Sequence, residues 1–140
     1  MGRILAIDYG TKRTGLAVSD PLRLIAGALA TVETKQLERY LADYFVQNDV
    51  DVIVVGKPSQ MSGKPSETMR FIEPLVGRLR HAYPEKQVIM YDERFTSVMA
   101  HRTMLESGIG KKARQDKALV DRIAATIILQ SYMESQELQR

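Results

Sequence analysis

The stretch DVIVVG, Asp51–Gly56, constrains the fold more than any other part of the chain. Val52, Ile53, Val54 and Val55 are consecutive and β-branched, so the segment offers no polar face. A strand with one wet face alternates apolar and polar residues. A continuous apolar run belongs to a strand covered on both faces, as in parallel sheets flanked by helices. Pro58 ends the run.

The neighbouring segments can supply that cover. Gln36 to Gln47 carries Leu37, Tyr40, Leu41, Tyr44 and Phe45 at helical spacing. Thr68 to Tyr83 places Met69, Ile72, Leu75, Val76 and Leu79 on one stripe, with Pro74 expected to bend or delay the helix. Ahead of these, Ile4–Asp8 and Thr14–Asp20 read as two strands joined by the short link YGTKR, a hairpin signature. IAGALATVET reads as a third strand and QVIMYDE as a fifth. KPSQMSGKPS is a loop by its Pro, Ser and Gly content. Ser97 caps a short helix through Glu106, SGIGKKARQDK forms a mobile loop, and Asp116 to about Leu138 forms the last helix. The order β-β-β-α-β-α-β-α is that of the ribonuclease H-like fold. It predicts an α/β protein with a five-stranded mixed sheet and helices on both faces, its helix-linked crossovers right-handed.

With 140 residues the chain is expected to form one domain over 1–140, since domains commonly run about 100–150 residues. It has no cysteine, which excludes disulfides and thiolate metal sites and fits a reducing cytoplasm. It shows no signal peptide and no apolar run of the ~18–20 residues needed to span a bilayer, so a cytoplasmic protein without a membrane partner is expected. The net charge of +3 says little as a total. Between Arg94 and Arg122, however, seven basic residues face three acidic ones, a local surplus suited to a polyanion such as nucleic acid.

Three carboxylates stand out from ordinary solvated acids. Asp8 ends the first strand, Glu93 ends the fifth, and Asp121 sits inside the last helix. Ala118, Ala124, Ala125 and Ile128 lie at helical steps from Asp121, so the aspartate shares the apolar, sheet-facing stripe. A core-facing helix interior disfavours Asp, and a cation would offset that cost. Clustered carboxylates repel one another unless a divalent ion neutralises them. Oxygen donors without a nearby His or Cys favour Mg²⁺ or Mn²⁺ over Zn²⁺. Asp92 is expected to point away from Glu93, because adjacent strand residues face opposite sides. His81 and His101 show no ligand spacing and read as surface residues.

IDYGTKRTGLAVSD, VVGKPSQMSG, YDERFTS and KALVDRIAATIIL together resemble the four motifs of the YqgF/RuvX family, in order and across nearly the whole chain. Members of that family are described as pre-16S ribosomal RNA nucleases or as Holliday junction resolvases. The resemblance implies a ribonuclease H-like, metal-dependent endonuclease acting on structured nucleic acid, trimming the 5′ end of pre-16S rRNA in ribosome biogenesis. Resolution of four-way DNA junctions is the alternative it carries. It assigns the catalytic acids to Asp8, Glu93 and Asp121. It places Lys12 and Arg13 on the basic turn, Arg94 in the D-E-R motif, and Lys117 four residues before the helix acid. Lys111, Lys112 and Arg114 extend the expected phosphate grip. The chain departs from the family pattern at Phe95, where Leu is usual, and at Gln60 and Ser62, where Asn and Asp are usual.

Three other readings compete. A phosphotransferase related to actin-like kinases would need a second domain and a second Gly-rich phosphate loop, and the sequence has neither. A receiver domain would need its acceptor aspartate where Gly56 stands. A nucleic-acid-binding factor without catalysis would use the same basic segment. RNA is preferred over branched DNA on the resemblance alone, and the choice between monomer and homodimer stays open.

Overall fold

The computed structural model describes residues 2–57, 68–92 and 117–138. Five strands form one sheet: β1 (Arg3–Asp8), β2 (Arg13–Ser19), β3 (Ala26–Glu33), β4 (Val50–Lys57) and β5 (Gln87–Asp92). Their spatial order is β3-β2-β1-β4-β5. β1, β2 and β3 pair antiparallel, whereas β4 lies parallel to both β1 and β5. The helices are α1 (Leu37–Gln47), α2 (Met69–Ala82) and α3 (Lys117–Leu138), with a 3-10 turn over Thr34–Gln36 leading into α1. This is the ribonuclease H-like arrangement expected from the sequence. The short helix expected over 97–106 and most of the two loops lie outside the described residues.

Strand alternation sorts the side chains into two cores. Leu5, Ile7, Leu16, Ile53 and Val55 face α1 and α2, meeting Leu37, Leu41, Ile72, Leu75 and Leu79. Ile4, Ala6, Ala17, Val52 and Val54 face α3, meeting Ala125, Ile128, Leu129 and Tyr132. The DVIVVG strand, β4, therefore lies inside the sheet between β1 and β5 and is covered on both sides, as its unbroken β-branched run requires. Each fully buried Leu or Ile contributes roughly 1.5–3 kcal/mol to holding these layers together. α2 continues through Pro74. On the far face, Tyr91 of β5 stacks edge-on against Tyr132 of α3 at 5.9 Å, and its hydroxyl hydrogen-bonds Ser131 Oγ at 2.8 Å. That contact ties the end of β5 to the terminal helix.

The two ends of the sheet differ in character. The carboxyl ends of the parallel strands β1, β4 and β5 carry Asp8, Lys57 and Asp92, the edge where open α/β sheets bind ligands. The opposite end is closed by hydrogen bonds. Asp20 Oδ1 accepts from the backbone N–H of Leu24 and Ile25 at 2.7 and 2.8 Å. Arg23, at φ 58°, donates to the Gly2 carbonyl and to Asp51.

Candidate active site

Asp8 is the last residue of β1, and the Ile4, Ala6, Asp8 alternation puts its side chain on the α3 face of the sheet. Its cross-strand partner is Gly15 of β2. Directly opposed residues in an antiparallel pair share a face, so the missing side chain at Gly15 opens space beside Asp8 on that face. The backbone of Asp121 fills the space. A Cβ on Gly15 would lie 2.1 Å from the Asp121 carbonyl oxygen and 3.1 Å from its Cβ. Gly15 thus touches both acids, one as ladder partner and one as helix contact. This close approach lets residues 113 positions apart converge.

Asp121 is half-buried on the sheet-facing side of α3, as the alanine-rich stripe predicts. Its Oδ2 accepts a hydrogen bond from Arg13 Nε at 3.1 Å, an ion pair across the gap between β2 and the helix. Arg13 is the first residue of β2 and shares the face of Gly15 and Ala17. The family resemblance places Arg13 on the phosphate-gripping turn, and its guanidinium here also pairs with the helix acid.

The turn between β1 and β2 is fixed by Thr34, at the start of the 3-10 turn, 20 or more residues away in sequence. Thr34 donates its backbone N–H to the Lys12 carbonyl at 3.0 Å and its hydroxyl to the Gly10 carbonyl. With that proton committed, the fully buried Thr14 hydroxyl donates to Thr34 Oγ1 at 2.9 Å. A Cβ on Gly10 would lie 2.3 Å from the Arg13 carbonyl oxygen, so only glycine allows the turn to close this tightly. Lys12 and Arg13 are consequently presented on a pinned hairpin. An open depression of about 390 Å³ lies beside them, lined by Thr11, Lys12, Arg13, Glu33 and Lys35.

Of the remaining sequence-predicted residues, Lys117 is the first residue of α3. Glu93, Arg94, Lys111, Lys112 and Arg114 lie outside the described residues. Asp92 ends β5 opposite Lys57 and by alternation shares the face of Val88 and Met90, away from α3. His81 is exposed near the end of α2. Among the described residues no three His, Cys, Asp or Glu side chains gather as a metal-binding group. Asp8 and Asp121 are hard oxygen donors on one face, and that chemistry fits a hard divalent cation. Among the same residues no helix is long and apolar enough to cross a membrane.

The mixed sheet, its helix layers and the acids at its carboxyl edge define a ribonuclease H-like protein. Residues 2–135 match the model of the RuvX family, described as a Holliday junction resolvase. A relative from Bacteroides thetaiotaomicron is 57% identical over 135 residues, covering 96% of this chain and 98% of its own. One from Parabacteroides distasonis is 53% identical over 139 residues, covering 99% of each. Both carry the name "Putative pre-16S rRNA nuclease". Among solved structures, RuvC from T. thermophilus in complex with a Holliday junction substrate superposes with a TM-score of 0.54. That match is 18% identical and covers 95% of this chain and 96% of the other, a likeness of fold. The chain belongs to the RuvX family.

Proposed function

We propose that this chain is a metal-dependent endonuclease that hydrolyses phosphodiester bonds of structured RNA, processing the 5′ end of pre-16S rRNA. The observation that carries the reading is the convergence of Asp8 and Asp121 through Gly15 at the carboxyl edge of the parallel strands. Full-length kinship with proteins bearing that nuclease name gives the RNA substrate its support.

Asp8 and Asp121 would hold one or two Mg²⁺ or Mn²⁺ ions, with Glu93 as the third acid. Glu93 stands two residues after Tyr91, whose ring packs towards α3. Such ions supply a lowered pKa for bound water and charge stabilisation for the leaving oxygen. The protein's own part is to orient and to neutralise. Lys12 and Arg13 present positive charge from the pinned turn beside the acids, where the substrate backbone would lie. Arg94, Lys111, Lys112, Arg114 and Lys117 would extend the grip along the strand. Holliday junction resolution is the second reading, favoured by the description of the family itself.

A side-by-side cleavage assay separates the two. RNA carrying the 5′ extension of pre-16S rRNA and a four-way DNA junction are each incubated with protein in Mg²⁺ or Mn²⁺. Cutting of the RNA at a defined position, with the junction left intact, supports the first reading. The reverse selects the second. Binding without cutting of either substrate contradicts both and points to a non-catalytic factor.

A further inference from the structure

Lys35 lies outside every sequence motif and 23 residues from Lys12, yet it lines the same depression. The β2–β3 hairpin brings them together. Arg13 pairs with Glu33 at the base of the ladder, and the Thr34 N–H bonds the Lys12 carbonyl at 3.0 Å. The 3-10 turn that follows then delivers Lys35 beside the basic turn. Three cations therefore converge from two segments, with one carboxylate, Glu33, among them.

We infer that this depression is a second phosphate subsite, in which Lys12, Arg13 and Lys35 hold a backbone phosphate adjacent to the one over the acids. The inference rests on the nucleic-acid reading above and adds to it a direction. β3 lies two strand spacings from β1, roughly 10 Å, so Lys35 receives a neighbouring phosphate rather than the scissile one. The substrate strand thus leaves the acids over β2 towards the free edge of β3. Lys35 is ready for the exchange. Its amino group sits 3.5 Å from Glu33 Oε2, and both side chains are mostly exposed, a weakly held pair that a phosphate can replace.

The test is the salt dependence of binding. Fluorescence anisotropy with a labelled RNA hairpin bearing a single-stranded 5′ extension is recorded in KCl from about 50 to 300 mM. Each phosphate contact contributes about 0.7 (single strand) to 0.9 (duplex) to the slope of log K against log salt. Lys35→Gln is expected to lower the slope by that amount, Lys35→Arg to retain it, and Glu33→Gln to tighten binding at low salt. Lys35 is exposed, so neither substitution threatens the fold. A wild-type slope in Lys35→Gln overturns the subsite while leaving the nuclease reading intact. Wild-type protein that fails to bind the RNA at any salt overturns that reading, and the subsite with it.

Discussion

Arg13 Nε donates to Asp121 Oδ2 at 3.1 Å, joining the first residue of β2 to the carboxylate of the terminal helix. The guanidinium occupies an oxygen that a divalent ion would use. Arg13 is 40% exposed, which puts the pair in the weak class of about 0.2–1 kcal/mol. At the proposed metal site it would serve as an exchangeable counter-charge rather than a lock.

Arg13→Gln is therefore expected to bind Mn²⁺ more tightly than wild type, by up to about fivefold, the equivalent of 1 kcal/mol. The same variant should bind RNA more weakly, because it loses a cation beside the substrate path. Isothermal titration with Mn²⁺ alone, followed by RNA binding, checks both. Unchanged Mn²⁺ affinity would mean that Arg13 does not compete for Asp121.

Gly15→Ala places a methyl group 2.1 Å from the Asp121 carbonyl oxygen and 2.5 Å from its carbon, both backbone atoms that cannot rotate away. The helix must shift, at the 1–3 kcal/mol typical of overpacking or somewhat more. The expected outcome is a lower urea midpoint together with weakened Mn²⁺ binding, since the two acids separate. Ala17→Gly, one step along the same face, loosens the helix contact without forcing the acids apart. It should lower stability while sparing Mn²⁺ affinity.

At the far end of the sheet, the Asp20 carboxylate is held below its ordinary pKa of 3.8, first by the backbone N–H of Ile25 and then by those of Leu24 and Leu22. A depressed carboxylate stabilises the fold above its unfolded pKa and loses that contribution as pH falls through the folded value. Wild type should thus lose stability over an interval below pH 3.8 in which Asp20→Asn changes less. Parallel urea titrations from pH 5 to about pH 2.5 measure the difference. Identical pH slopes would show that the turn does not sense Asp20 ionisation.

Much of this architecture is legible in the chain. The unbroken Val52–Val55 run marks an interior strand covered on both faces, and the Ala124–Ala125 stripe marks the helix face that brings Asp121 onto the sheet. Asp8 is legible as an acid ending a buried strand. What links the two acids is not. Gly15 reads as one small residue in TGLAVSD, and only the Asp8–Gly15 register and the helix approach reveal its part. Thr34 and Lys35 escape sequence reading for a related reason. Their partners Gly10, Lys12 and Thr14 lie 20 or more residues away, and tertiary pairing creates contacts that no local pattern encodes. The placement of Arg13 on a carboxylate likewise depends on a helix more than 100 residues further along.

The role proposed for Asp8 is that of a metal-holding acid of a nuclease. It is tested most directly by cleavage of 5′-extended pre-16S RNA in Mg²⁺ or Mn²⁺ by wild type and Asp8→Asn, with RNA binding measured in parallel. An ion in such a site supplies several kcal/mol of transition-state stabilisation, so the variant should lose about a thousandfold in rate. It should bind RNA as well as wild type or better, having lost a negative charge near the phosphates. Cleavage by Asp8→Asn at the wild-type rate, or wild-type protein that binds the RNA and never cuts it in either ion, would rule that role out.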